Sequence, residues 1–148
     1  MKFSTRSRYG LRFMIELAAR SNNEKPVYLR EISSLQDISE KYLSKLVLSL
    51  KAAGLVTSER GTSGGYKLGR LASEISVLDI VEALDGSIFP VECSKSPSIC
   101  NRYNICHAKD IWCELGNVMK KFLSSKKLDK LGKMATSLKD YNDNMYYI

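Results

Sequence analysis

Histidine and tryptophan occur once each in these 148 residues and proline only three times. No apolar run approaches the roughly 20 residues that a membrane-spanning helix needs. The opening MKFSTRSRYG lacks the apolar stretch of a secretory leader, so a cytoplasmic location without a membrane partner is expected. The Walker pattern is missing too, which argues against reading the glycine-rich stretch 61–65 as a nucleotide phosphate loop. Nor is there a C-x2-C knuckle of the kind structural zinc prefers. In a reducing compartment, four cysteines gathered between positions 93 and 113 are metal ligands or redox thiols rather than a disulfide framework.

What is present is an ordinary globular composition, 44% hydrophobic and 26% charged, with a formal net charge of +7. The charge is unevenly spread. Residues 1–70 carry 13 Lys and Arg against 6 Asp and Glu, whereas residues 71–148 carry 10 of each. A solvated basic surface would account for this, and so would a module that binds a polyanion.

Hydrophobic periodicity favours the second reading. Leu11, Met14, Ile15 and Ala18 have helical spacing, opened near residues 4–7 and closed near Ser21 and Asn22. Leu29, Ile32 and Leu35 predict a short second helix ending at Gln36 and Asp37. Ser39 then caps a third, with the stripe Leu43, Leu46, Val47 and Leu50 and a terminating Gly54. The tight link over residues 36–39 makes a helix-turn-helix. Lys41 and Lys45, with Ser44 at their flank, lie opposite Leu43 near the N-terminal end of the third helix, where recognition helices touch bases. Behind it, residues 56–60 and 66–68 read as two strands joined by a glycine-rich turn, a hairpin that turns the motif into a winged helix. Arg60 sits at the wing's shoulder, placed for a minor groove or a phosphate.

Ser76 is predicted to cap a core helix carrying Val77, Ile80, Val81 and Leu84, stopped by Gly86. The cysteines follow as Cys93-x6-Cys100-x5-Cys106-x6-Cys113. Between Cys93 and Cys106 only Ile99, Tyr103 and Ile105 are core candidates, so the loop needs something besides burial to order it. Helical period returns over residues 104–124, with Ile111, Leu115, Val118 and Phe122 on one stripe and Trp112, Met119 and Leu123 beside it. Such a wide apolar band predicts packing against a second copy, with an intramolecular core helix as the alternative. On that helix Cys106 and Cys113 would be separated by about 10 Å of rise, too far to share an ion, leaving Cys113 the odd thiol. Residues 125–148 read as a tail with one amphipathic trace in Leu128, Leu131 and Leu138, its last ten residues poorly ordered.

The segments STRSRYGLR, RGTSGGYKLGR and ISVLDIVEALDG, with three cysteines between the last of these and a long terminal helix, resemble the Rrf2 family of winged-helix regulators, the IscR and NsrR types. The resemblance runs from Lys2 to about Ser125. It implies a bacterial transcription factor that binds double-stranded promoter DNA as a homodimer. An iron–sulfur cluster on Cys93, Cys100 and Cys106 would control that binding. It also implies major-groove reading by Lys41, Ser44 and Lys45, and minor-groove entry by Arg60. Two departures leave the fourth ligand open: Lys109 stands where IscR-type chains have histidine, and Arg8 where NsrR-like chains have an acid. His107 is the favoured candidate, ahead of Asp110, Glu92 and Glu16; a surface histidine with no ligand role is its alternative.

The expected fold is mainly α with a small β-hairpin wing: a winged helix-turn-helix domain over 1–86, a cysteine loop over 87–106, a dimerisation helix over 104–124 and a tail over 125–148. The expected cofactor is an iron–sulfur cluster, 2Fe–2S rather than 4Fe–4S. A winged-helix regulator switched by zinc or by thiol–disulfide chemistry is the alternative. Catalysis by Cys106 and His107 is disfavoured, since neighbours on a helix point apart and no oxyanion signature accompanies them.

Overall fold

The computed structural model describes residues 3–20, 25–59 and 65–145, with side chains described as far as residue 139. Seven α-helices and one hairpin appear among the described residues: α1 (Thr5–Ala19), α2 (Leu29–Gln36), α3 (Glu40–Ala52), β1 (Val56–Glu59), β2 (Gly65–Leu68), α4 (Val77–Asp85), α5 (Glu92–Lys95), α6 (Lys109–Ser125) and α7 (Leu128–Met145). The fold is therefore mainly α with a two-stranded antiparallel wing, as the sequence predicts.

Local chemistry sets the helix ends. Ser4, Ser39 and Ser76 each accept a hydrogen bond from a backbone amide of the first turn, and the Asp79 carboxylate accepts one from the Ser76 amide, completing a capping box. Asp37 closes α2 in the left-handed region (φ 51°), and Gly54 does the same after α3 (φ 69°), where a side chain would be strained. These two turns set α3 at its angle behind α2 and lead it into the wing. In the wing Val56 faces Leu68 and Glu59 faces Gly65; Val27 adds a bridge to Tyr66 through two backbone bonds of 2.9 Å.

The core lies where α1, α3 and α4 meet. Phe13, Met14, Leu17, Ile32, Leu43, Leu46, Leu50 and Ile80 are sealed from solvent. Burying each such side chain stabilises the fold by about 1.5–3 kcal/mol before entropy is counted. Leu11 and Ile15, expected on the buried stripe of α1, are only half-buried and pack at the edge of the core, whereas Gly10, Phe13, Met14 and Leu17 are buried. A second cluster, Val77, Leu78, Val81 and Ile88, receives Met119 and Leu123 from α6 and Leu131 from α7.

Two expectations about the C-terminal third are corrected. The long helix begins at Lys109, not at residue 104, because Tyr103–Ile105 form a separate 3₁₀ turn and Ala108 starts α6 without a side-chain cap. The tail is helical through Met145, where the last ten residues were expected to lack regular structure, and residues 146–148 lie outside the described residues. It docks on α1: Leu128 is fully buried and a Cβ on Gly132 would stand 3.0 Å from the Cβ of Ala18. Backbone bonds from Val77 to Lys126 and from Leu128 to Ile75, both 2.9 Å, pin the α6–α7 link beside the start of α4.

Candidate nucleic-acid interface and cysteine loop

On α3, Leu43, Leu46, Val47 and Leu50 are buried, and helical geometry turns Lys41, Ser44 and Lys45 to solvent. Among the described residues neither lysine is engaged by a neighbouring side chain, while the Ser44 hydroxyl donates back to the Glu40 carbonyl at 2.8 Å. Arg60, predicted at the wing's shoulder, lies outside the described residues, as do Gly61 and Gly64. The wing is braced against α3, since Lys51 Nζ donates to Ser58 Oγ at 2.7 Å.

Three arginines on α1 were not read from the sequence as part of the basic surface. Arg6 donates to Ser49 on α3 at 3.1 Å, and Arg8 and Arg12 lie over the Tyr9 ring, which in turn meets Tyr42 of α3 edge to face. The signal available was their spacing, positions 6, 8 and 12 of one helix. Their charges extend the basic flank of α3 onto α1. Ser4 and Ser7 anchor that end of α1 by donating to Asp85 at 2.5 and 2.6 Å. Burial would raise the Asp85 carboxyl, but the bonds from Ser4 and Ser7 and the Arg6 charge outweigh it and hold the group below its ordinary value near 3.8. Asp79 is likewise lowered: burial works against it, and the Ser76 bonds with the Arg70 and Lys127 charges prevail.

The cysteine stretch is a chain of short elements. Cys93 sits in the single turn α5, Cys100 ends the 3₁₀ turn Pro97–Ile99, and Cys106 ends the turn Tyr103–Ile105. All four cysteines are free of disulfide pairing and half-buried. Ile99 and Ile105 are 62% and 64% exposed, so burial orders this loop even less than expected. His107 and Asp110 are exposed. Cys106 precedes α6, so the helical relations drawn from it to Cys113 and His107 do not apply. Cys113 lies 3.8 Å from the Tyr103 hydroxyl, and that contact, with the Cys113 charge, raises the phenol's pKa.

By kind and number the donors suit an iron–sulfur cluster: three soft, unpaired thiols on one excursion of the chain. Their positions do not make a cradle. Among the described residues, no three His, Cys, Asp or Glu side chains stand close enough to hold one ion.

From the loop the chain enters α6, whose Ile111, Leu115, Val118 and Phe122 form an outward stripe, 64% exposed at Ile111 and 58% at Phe122. The opposite flank is fastened, with Phe89 seated on Gly116 so closely that a Cβ there would clash with the ring.

The family model Rrf2, described as an iron-dependent transcriptional regulator, matches residues 3–134. The chain is 41% identical over 125 residues to Protein rrf2 of Nitratidesulfovibrio vulgaris, covering 84% of this chain and 83% of that one. The structure of CymR, the global cysteine regulator of Bacillus subtilis, superposes with a TM-score of 0.74 at 37% identity, covering 90% of this chain and 98% of CymR. T. potens IscR superposes with a TM-score of 0.66 at 34% identity, covering 95% and 88%. These relatives are regulators rather than enzymes. No helix among the described residues is long and apolar enough to cross a membrane. The basic winged helix and the family match lead to one conclusion: the chain belongs to the Rrf2 family of bacterial transcriptional regulators.

Proposed function

We propose that this chain binds promoter DNA as a homodimer, and that an iron–sulfur cluster held by Cys93, Cys100 and Cys106, with His107 as the non-thiolate ligand, sets its grip on DNA. The observation that carries the reading is connectivity. The three thiols ride on successive short turns that lead directly into α6, a helix fastened to α4 on one flank and bare and apolar on the other. A second copy on the bare flank covers it and pairs two winged helices, as two half-sites require. Lys41, Ser44 and Lys45 then read the major groove, and Arg60 enters the minor groove.

The thiols stand apart, so ligating one centre draws residues 91–106 together and makes loop order depend on occupancy. When bound, such a cluster supplies one-electron redox chemistry, with the 2Fe–2S form favoured. The chain's part is to pass loop order through α6 to the spacing of the two α3 helices.

A thiol- or zinc-switched regulator without a cluster is the second reading. It is favoured by the same separation of the thiols and by the likeness to CymR, a cysteine regulator by its description. Anaerobic purification followed by absorption spectroscopy and iron, sulfide and zinc analysis separates the two. A brown protein with iron and acid-labile sulfide supports the cluster. A colourless protein with stoichiometric zinc, or with neither metal and reversibly oxidised thiols, supports the second reading.

A further inference from the structure

A cavity of about 780 Å³ opens between the last turn of α1, the wing strand β2, residues 70–73 and the first turns of α7. That volume lies within the range of small-molecule sites. Neither the cysteines nor Lys41, Ser44 and Lys45 line it.

Its lining is strongly cationic. Arg20 and Lys67 are already compensated, the first by Glu31 at 2.8 Å and the second by Glu59 at 2.6 Å. The side chains of Lys25, Arg70 and Lys133 also line the cavity and make no hydrogen bond or ion pair among the described residues, although the Arg70 charge also acts on Asp79 outside the lining. Asp129 is the single acid in the lining. Counted over the lining alone, these three cations against one acid leave a formal excess of two positive charges, of which Arg70's is partly offset by Asp79 nearby. Water screens that excess without cancelling it, and a complementary anion would concentrate there. Val27 and Leu68 add apolar wall for the body of an organic molecule.

We propose that this cavity binds a small organic dianion, a dicarboxylate or a phosphomonoester, with Lys25 and Arg70 engaging it from the wing side and Lys133 from α7. The occupant ties the wing strand to the C-terminal helix. The site is independent of the cysteine loop and stands whether or not a cluster is bound.

The test is calorimetric titration of the intact protein with succinate and, separately, with glycerol 2-phosphate, at ionic strength fixed with sodium chloride. Saturable binding of at least one probe is expected, and whichever probe saturates names the source as carboxylate or phosphate. Arg70→Gln and Lys133→Gln should each weaken it roughly tenfold or more, the worth of one charge-assisted hydrogen bond. Arg70→Lys and Lys133→Arg keep the charge and should keep most of the binding, which separates loss of the site from loss of the fold. No saturation by either probe up to about 10 mM overturns the proposal. Unchanged affinity in both Gln variants, or equal loss in the charge-conserving ones, overturns it too. If the Gln variants lose affinity only for duplex DNA and neither probe binds, the cations belong to the DNA surface and the proposal falls.

Discussion

Lys139 Nζ stands 2.6 Å from Glu16 Oε2, so α7 is tied to the middle of α1 by an ion pair whose acid is only 3% exposed. The other oxygen of Glu16 accepts from Gln36 Nε2 at 2.8 Å, and Gln36 Oε1 accepts from Arg12 Nε at 2.8 Å. One polar string therefore runs from the C-terminal helix through the core helix to the residue that precedes the helix-turn-helix turn. Arg12 also donates to the Gln36 carbonyl, at the end of α2.

Lys139→Ala should cost about 1–3 kcal/mol, between the small worth of an exposed pair and the large cost of stripping a buried one. Urea unfolding of the variant against the unmodified protein reads it. An unchanged midpoint would mean that Glu16 is satisfied by Gln36 and Arg20 alone.

Acid should loosen the packing of α1 on α4 before it unfolds the core. Asp85 and Asp79 have folded pKa values below the ordinary 3.8, so their contribution is fully present above the unfolded value and is lost as pH falls through the folded one. Urea midpoints followed downward from pH 6 should fall below about pH 4, and less steeply in Asp85→Asn. Equal slopes in the two proteins would contradict the role given to the Ser4–Asp85–Ser7 bonds.

For DNA, Lys45→Ala should weaken binding and lower the salt slope by about one if the lysine meets a phosphate. Arg60→Ala should cost roughly 1–3 kcal/mol at a specific site. Fluorescence anisotropy on an operator duplex at several salt concentrations measures both. Unaltered affinity in Arg60→Ala would make the wing arginine a bystander.

Placing a carboxylate on the bare stripe of α6 should split the dimer, because it buries an unpaired charge at the seam. Leu115→Glu is expected to sediment as a folded monomer and the unmodified protein as a dimer. An unmodified protein that sediments as a monomer would contradict the assignment of this face.

The helix-turn-helix was legible because its determinants are local: the 3.6-residue stripe from Leu43 to Leu50, the caps Ser39 and Ser76, and the stops at Asp37 and Gly54 all lie within a few residues of what they control. The start of α6 was not legible, since Ala108 carries no capping side chain and the turn at Tyr103–Ile105 continues the helical spacing without joining the helix. The docking of α7 was hidden for a different reason. It rests on Leu128, on close approach at Gly132 and on the Lys139–Glu16 pair, contacts made with residues more than a hundred positions away on α1 or through a residue with no side chain. At the cysteine loop the spacing of the thiols was on the page, but a loop held by single turns has no period from which their arrangement could be read.

The most direct test of the central claim is single Cys→Ala replacement at positions 93, 100, 106 and 113, each protein purified without oxygen and its iron–sulfur absorption measured. The account predicts loss of the signal at Cys93, Cys100 and Cys106 and its retention at Cys113. Dependence on Cys113, or a protein colourless in every form, would contradict it.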